Sequence, residues 1–184
     1  MSRGELAARL YEASHLVGTF TLRSGAVSGE YFDKYRFESD PALLAEIAAQ
    51  LEPLVPAGTE VLAGLELGGV PLATALSARL GLPVAFVRKA AKSYGTCRLA
   101  EGVPVGGRRL TVVEDVVTSG GQLVRSTEDL RAEGATVEDA LCVIDRESGG
   151  TEALGRAGVR LESLFRMGEL GGGGAGGGAT RAGL

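Results

Sequence analysis

The feature that most constrains this chain is a repeated switch of hydrophobic period beyond residue 60. Val61-Leu62-Ala63, Val84 to Val87, Leu110 to Val113, Ala140 to Ile144 and Val159 to Phe165 are short, nearly continuous apolar runs. Runs of that length mark strands buried on both faces. Helical spacing fills the intervals. One helix spans Val70 to Leu80 and stops at Gly81; a second shows Leu123, Thr127 and Leu130 on one face and ends at Gly134; a short third lies around Glu152 to Arg156. Strands alternating with helices specify an α/β fold, a central and mostly parallel sheet flanked by helices with right-handed crossovers. Ligands bind such sheets beyond the carboxyl ends of the strands. That rule selects Gly64–Gly69, Arg88–Lys92, Glu114–Gln122 and Asp145-Arg146.

The N-terminal part reads less cleanly. Leu6, Leu10 and Ala13 suit a first helix, with Leu16 and Val17 continuing its apolar surface to His15 and beyond. Thr19 to Arg23 and Glu30 to Asp33 are β-like pieces around the turn Ser24-Gly25. Asp40-Pro41 is a helix start, Asp as N-cap and Pro in the first turn, and the helix continues on Leu43, Leu44, Ile47, Ala48 and Leu51. Residues 88–107 carry no apolar period and are predicted to be one long polar loop, the kind that usually serves function. Residues 171–184, GGGGAGGGATRAGL, have almost nothing to bury and are predicted to be a disordered tail, leaving residues 1–170 as one folded unit.

Composition narrows the class. The 184 residues have a net charge of −4, and a pI near 5.2, whereas a sequence-independent binder of nucleic acid or anionic membrane is normally basic. No run approaches the roughly 18 apolar residues of a membrane span. Two cysteines, Cys97 and Cys142, and one histidine, His15, give neither a zinc site nor a disulfide framework. Cys142 reads as a small core residue, Cys97 and His15 as bystanders, and a reducing, cytoplasmic location is expected. Arginine outnumbers lysine, and two of the three lysines, Lys89 and Lys92, fall in the polar loop, which favours anion binding over a solvated charge run.

The segment with most chemistry is Val112-Val113-Glu114-Asp115-Val116-Val117-Thr118-Ser119-Gly120-Gly121-Gln122. A strand runs into two acids, then into a small-residue turn, then into a helix. Thr118 and Ser119 offer hydroxyls, the glycines admit close backbone approach, and the helix N-terminus offers N–H groups at the positive end of its dipole. Together these make a phosphate cradle. Carboxylates beside a phosphate suit sugar hydroxyls, a Mg²⁺ shell or positive charge developing on carbon.

This segment resembles the phosphoribosyl pyrophosphate signature of type I phosphoribosyltransferases. Phe20-Thr21-Leu22-Arg23-Ser24-Gly25 with Ser28 and Tyr31-Phe32-Asp33, the loop Val87-Arg88-Lys89-Ala90-Ala91-Lys92-Ser93-Tyr94-Gly95, and Val143-Ile144-Asp145-Arg146 resemble segments of the orotate-using branch. The resemblance covers residues 16 to about 166. It implies the family's fold: a small N-terminal hood, drawn largely from residues 1–40 and the C-terminal strand region, and a flexible catalytic loop. It also implies transfer of a 5-phosphoribosyl group from phosphoribosyl pyrophosphate to orotate, giving orotidine 5′-monophosphate in pyrimidine synthesis. The alternatives are a purine phosphoribosyltransferase and a regulator that senses phosphoribosyl pyrophosphate, the latter disfavoured by the acidic charge.

The resemblance implies residue roles as well. Lys92, Asp115 and Glu114 are expected to be catalytic, the two acids holding the ribose 2′- and 3′-hydroxyls. Val116, Val117, Thr118, Ser119, Gly120, Gly121 and Gln122 are expected at the 5′-phosphate. Arg23, Arg88, Lys89, Lys92 and Tyr94 are expected at the pyrophosphate, with Lys89 reaching into a neighbouring subunit's site. Thr118, Arg146, Tyr31 and Phe32 are expected at orotate. Mg²⁺ is expected to arrive on the pyrophosphate without direct protein ligands, and the protein to be a homodimer with shared sites, free of nucleic-acid or membrane partners. The sequence departs from the family at two places. Tyr94 stands where the loop usually has His, and Leu67-Gly68-Gly69-Val70-Pro71 stands where a Tyr-Lys pair often precedes Gly-hydrophobe-Pro. At the latter, only backbone N–H contacts are expected.

Overall fold

In the computed structural model, which describes residues 1–21, 25–90 and 99–170, the strands fall into two sheets. Chain order is α1 (Arg3–Ser14), β1 (His15–Thr21), β2 (Val27–Phe32), α2 (Tyr35–Glu38), α3 (Pro41–Leu51), a 3₁₀ turn Glu52–Leu54, β3 (Val61–Leu65), α4 (Gly69–Leu80), β4 (Val84–Val87), β5 (Ala100–Gly102), β6 (Arg109–Val117), α5 (Gly121–Ala132), β7 (Thr136–Asp145), α6 (Gly150–Arg156), β8 (Arg160–Arg166) and α7 (Met167–Leu170). The large sheet has the order β5-β4-β3-β6-β7-β8. All its pairings are parallel except β4 with β5.

The apolar runs explain the sheet. Every residue of β3 is buried, and successive side chains enter opposite cores. Val61, Ala63 and Leu65 join the core that includes Leu123, Leu130 and Leu154 of α5 and α6. Leu62 joins the core of α1, α3 and α4, built on Leu6, Leu10, Leu43, Ile47, Leu72 and Leu76. Each such side chain contributes roughly 1.5–3 kcal/mol on burial. The helix ends follow from their caps. Asp40 Oδ1 accepts from the N–H groups of Ala42 and Leu43 at 2.8 and 3.0 Å, Ser2 and Glu5 form a reciprocal capping box on α1, and Gly81 closes α4 at φ 70°.

Three expectations about the fold are corrected. Leu16 and Val17 belong to β1, not to the surface of the first helix, because α1 ends at Ser14 and His15 opens the hairpin with β2. Within residues 88–107, Ala100–Gly102 is an edge strand antiparallel to β4, and Leu99, Ala100 and Val105 are buried; three isolated apolar positions cannot register as a period. Finally, β8 pairs with β7 in the main sheet, leaving the β1–β2 hairpin as a sheet of its own. The C-terminus also returns to the N-terminal part: Arg3 donates to the Leu164 carbonyl of β8 at 2.8 Å and meets Glu169 of α7 at 3.0 Å. The tail, residues 171–184, and the central part of the expected catalytic loop, residues 91–98, lie outside the described residues.

Gly64 fixes the close approach of β3 to α4. A Cβ there would stand 2.8 Å from the Gly69 carbonyl oxygen and 2.9 Å from Ala73 Cβ. Gly64→Ala is therefore expected to destabilise by about 1–3 kcal/mol through overpacking, read as a lower urea midpoint with an unchanged m-value; an unaltered midpoint would show that α4 moves away freely.

Candidate active site

From β3 the chain crosses to β4 on one side, and from β6 it crosses to β7 on the other. The crossovers diverge, and a crevice opens between the carboxyl ends of β3 and β6, the switch point where α/β sheets bind ligands. A cleft of about 500 Å³ lies there. Its walls are Glu66 and Leu67 after β3, Glu114 and Val116 to Leu123 at the end of β6 and the start of α5, Arg125, Lys89 after β4, and Lys34 and Tyr35 from the hood side.

The expected phosphate loop is present as one wall. Val116, Val117, Thr118, Ser119, Gly120, Gly121 and Gln122 all line the cleft. Gly120 has φ 74° at the N-cap of α5, and a Cβ on it would lie 3.1 Å from the Gly150 carbonyl oxygen. Only glycine meets both conditions at once. The first turn of α5 then presents unpaired N–H groups at the positive end of a twelve-residue helix. The Gln122 side chain is committed elsewhere: its Nε2 donates to Ser126 Oγ at 3.3 Å, and its Oε1 accepts from Arg125 at 3.2 Å.

The two acids separate in role. Glu114 borders the cleft, whereas Asp115 is fully buried. Asp115 is gripped by Lys34, whose Nζ lies 2.9 Å from Oδ1 and 2.7 Å from Oδ2. The third member of the group is Glu38 of α2, buried, with an Oε1 that has no donor among the described residues. Burial, then the shared hydrogen bond and repulsion with Asp115, push the Glu38 carboxyl up to about 9. Burial likewise pushes Glu114 well above the usual carboxylate range. Burial would raise Asp115 too, but hydrogen bonds from Glu114, Glu38 and Lys34 hold it below its ordinary value. Burial pulls Lys34 down less than the Asp115 bond and neighbouring charges pull it up, so it stays charged. The group thus pairs Asp115, held toward its anionic form, with the Lys34 cation, while Glu38 and Glu114 are pushed toward their protonated forms.

The turn after β3 supplies backbone. A Cβ on Gly68 would collide with the Asp115 carboxylate and stand 2.7 Å from Glu38 Oε1; one on Gly69 would collide with the Val113 carbonyl oxygen. Both positions therefore exclude side chains, and Leu67, 61% exposed, reaches into the cleft. The Glu66–Leu67 peptide is cis. Glu66 Oε1 accepts from the Lys89 N–H at 2.7 Å, tying this turn to the end of β4.

Not every expected residue converges. Lys89 lines the cleft of its own chain, where the Glu66 bond holds its backbone. Arg88 is half-buried and outside the lining; its N–H donates to Leu99 at the start of the returning edge. Tyr31 and Phe32 lie on the hairpin and do not line the cleft. Tyr31 stacks on Phe20 with centroids 5.5 Å apart, and Phe32 packs against the α1 core. Arg146 is exposed and also outside the lining, although its N–H donates to the Val117 carbonyl at 2.9 Å, beside the phosphate loop. Asp145 orders that turn by accepting from the Glu147 N–H at 2.8 Å and Thr151 Oγ1 at 2.9 Å. Arg23, Lys92 and Tyr94 lie outside the described residues. Conversely, Lys34, Glu38, Tyr35 and Arg125 belong to the site or its support and escaped sequence reasoning, whereas Glu66 lies in the selected segment Gly64–Gly69. Lys34 alone left a signal, as the third of three lysines.

A cleft at the β3–β6 switch point, with paired acids leading into a glycine loop on a helix N-terminus, defines a phosphoribosyltransferase. The phosphoribosyl transferase domain matches residues 37–155, and the chain belongs to that family. Within it the chain belongs with the orotate phosphoribosyltransferases. It is 50% identical over 165 residues to the one from Nocardioides sp. (strain ATCC BAA-499 / JS614), covering 90% of this chain and 92% of the relative. It is 46% identical over 153 residues to that of Methanocella arvoryzae, covering 83% of this chain and 87% of the relative. The orotate phosphoribosyltransferase of Mycobacterium tuberculosis, solved in complex with 5-phospho-alpha-D-ribosyl 1-diphosphate, superposes with a TM-score of 0.79 at 31% identity over 92% of this chain and 98% of that one. The chain is thus an enzyme that transfers a phosphoribosyl group to orotate. The purine alternative is not favoured: an adenine phosphoribosyltransferase shares the fold, TM-score 0.68, at 16% identity.

The buried proton on Glu38 sets a pH dependence. Its carboxyl is raised to about 9 in the fold against 4.5 ordinarily, so between those values the native state binds a proton that the unfolded chain releases. Stability from this group is therefore complete on the acid side and is lost as pH climbs toward 9. Glu38→Gln keeps a donor without the titration. Its stability relative to the native protein should rise by at least about 1 kcal/mol between pH 6 and 8.5, measured by urea unfolding; a pH-independent difference would show that Glu38 is ionised throughout.

Proposed function

We propose that the cleft performs this transfer with the following division of labour. The loop Thr118–Gly121 and the start of α5 take the 5′-phosphate, Glu114 and Asp115 take the ribose 2′- and 3′-hydroxyls, and the N–H groups of the Leu67–Gly69 turn with Lys89 take the pyrophosphate. The C1–O bond to pyrophosphate breaks as N1 of orotate bonds to C1, and the ribose ring passes through an oxocarbenium-like state. An anionic carboxylate fixed near the ring favours that positive charge without having to reorganise. The observation that carries this reading is the convergence of Glu114, the loop 118–121 and Lys89 on one cleft.

Mg²⁺ belongs to the substrate in this reading. Asp115 is already engaged by Lys34, and on the strength of the resemblance the ion is proposed to arrive on the diphosphate. When bound, the ion spreads the negative charge of the leaving group. Arg146, tied to the phosphate loop through Val117, is proposed to meet the orotate carboxylate, with Thr118, Tyr31 and Phe32 near the base. Arg23, Arg88, Lys92 and Tyr94 are proposed at the pyrophosphate on the strength of the resemblance, as are a homodimer with shared sites and, in keeping with the buried free thiol of Cys142, a cytoplasmic setting.

The test is orotate consumption by ultraviolet absorbance with phosphoribosyl pyrophosphate and Mg²⁺, beside adenine, hypoxanthine and uracil. Only orotate is expected to react; turnover of another base instead would overturn the reading. Arg146→Ala should raise the orotate KM about tenfold or more and leave the phosphoribosyl pyrophosphate KM within about twofold. Lys92→Ala should lower kcat by about tenfold, more than it raises either KM, as expected of a contact made mainly in the transition state.

A further inference from the structure

We propose that Lys34 is the side-chain cation that receives the departing pyrophosphate at the β3–β6 end of the cleft, an inference that rests on the reaction proposed above. Three observations carry it. Lys34 lines the cleft, though it comes from the hood side, directly before α2. Its Nζ reaches both oxygens of Asp115, the buried acid that faces the turn at Gly68. And that turn cannot provide a cation itself, because any Cβ at Gly68 or Gly69 runs into Asp115 or Val113.

The charge arrangement makes Lys34 transferable rather than fixed. A cation half in solvent, 34% exposed, is held over a carboxylate with no exposure. Ribose hydroxyls arriving at Asp115 bring their own donors, and each one replaces part of what Lys34 supplies. The ammonium then has a better partner in a diphosphate seated against the Leu67–Gly69 N–H groups. A flexible four-carbon stem with three rotatable donors suits such a handover, which a planar guanidinium would not make as readily. No bond is made or broken by Lys34; it meets charge that accumulates on the leaving oxygens as C1–O cleaves.

Lys34→Met keeps the stem and removes the charge. Expected are a rise of about tenfold or more in the inhibition constant of Mg²⁺-pyrophosphate and a matching loss in kcat/KM for phosphoribosyl pyrophosphate, with the orotate KM within about twofold and a clearly smaller loss of affinity for ribose 5-phosphate than for pyrophosphate. Lys34→Arg should restore part of the pyrophosphate affinity. Equal losses for ribose 5-phosphate and pyrophosphate would overturn the proposal, since they would mean that Lys34 only orders Asp115. Unchanged pyrophosphate affinity would overturn it too. A measurement on the unaltered protein stands beside the variants: Mg²⁺-pyrophosphate should slow acetylation of Lys34 by acetic anhydride, followed by mass spectrometry, at least about tenfold, whereas ribose 5-phosphate should not. Equal labelling with and without pyrophosphate counts against Lys34. A protein that binds pyrophosphate through Lys34 yet never consumes orotate would instead remove the proposed reaction and leave this contact standing.

Discussion

An aspartate with no solvent exposure at the end of a central strand is the constraint on which this site turns. Left alone, Asp115 would cost several kcal/mol in lost hydration or would simply take up a proton. Lys34 and the neighbouring carboxyls of Glu38 and Glu114 hold it toward its ionised form. That arrangement dictates what surrounds it. The turn after β3 must be glycine, since the carboxylate occupies the volume a side chain would need at Gly68. The short helix α2 must bring Lys34 and Glu38 in from the hood side, and α1 and α3 must pack on α2 to keep it there. The core side chains Phe37, Leu6 and Leu43 do this, all essentially unexposed.

The other half of the cleft follows from topology. With order β5-β4-β3-β6-β7-β8, the two strands that end at the crevice are the ones whose connections leave in opposite directions. Neither helix can therefore cover the gap. Into that gap β3 delivers Glu66 and Leu67, and β6 delivers Glu114 followed by the loop 116–122 at the start of α5.

How legible this was depends on the range of the interaction. The strands β3, β4, β6 and β7 and the helices α4 and α5 announce themselves because each is buried along its length, so sequence period and environment coincide. The loop 114–122 is likewise contiguous, and its parts arrive at the cleft in chain order. The edge strand β5 left no trace, since of its three residues only Ala100 is buried, followed by a half-exposed Glu101 and an exposed Gly102. The Lys34–Asp115–Glu38 group was invisible for another reason. Lys34 and Asp115 are 81 positions apart, and a lysine before a four-residue helix looks like any surface lysine until the sheet is assembled. Glu38 is harder still, because its burial depends on Phe37 being drawn into the core beside it. Arg146, Tyr31 and Phe32 show the converse: a matching motif places a residue in the right segment, but the hairpin packing of Phe32 and the exposed turn at Arg146 keep both out of the described cleft lining.

The protonated carboxyls give the site a charge economy suited to its chemistry. Glu38, Glu114 and Asp115 would carry three negative charges if all were ionised, and a substrate with a phosphate and a diphosphate would meet strong repulsion at the ribose. Burial pushes Glu38 and Glu114 toward their protonated forms and so lowers that charge, and Lys34 stands opposite Asp115. In the proposed reaction the ring would then meet a less negative wall, with Lys89 and Arg125 elsewhere in the lining. Repulsion of the incoming polyanion is small, yet one buried carboxylate remains next to the ring when its carbon becomes electron-poor. An interaction that is weak with the neutral ring and strong with the developing cation is stronger in the transition state than in the ground state, and such differential binding is what accelerates a chemical step. In the proposed reaction, the burial that pushes Glu38 and Glu114 toward their protonated forms is thus part of how a pair of acids could face a phosphorylated sugar.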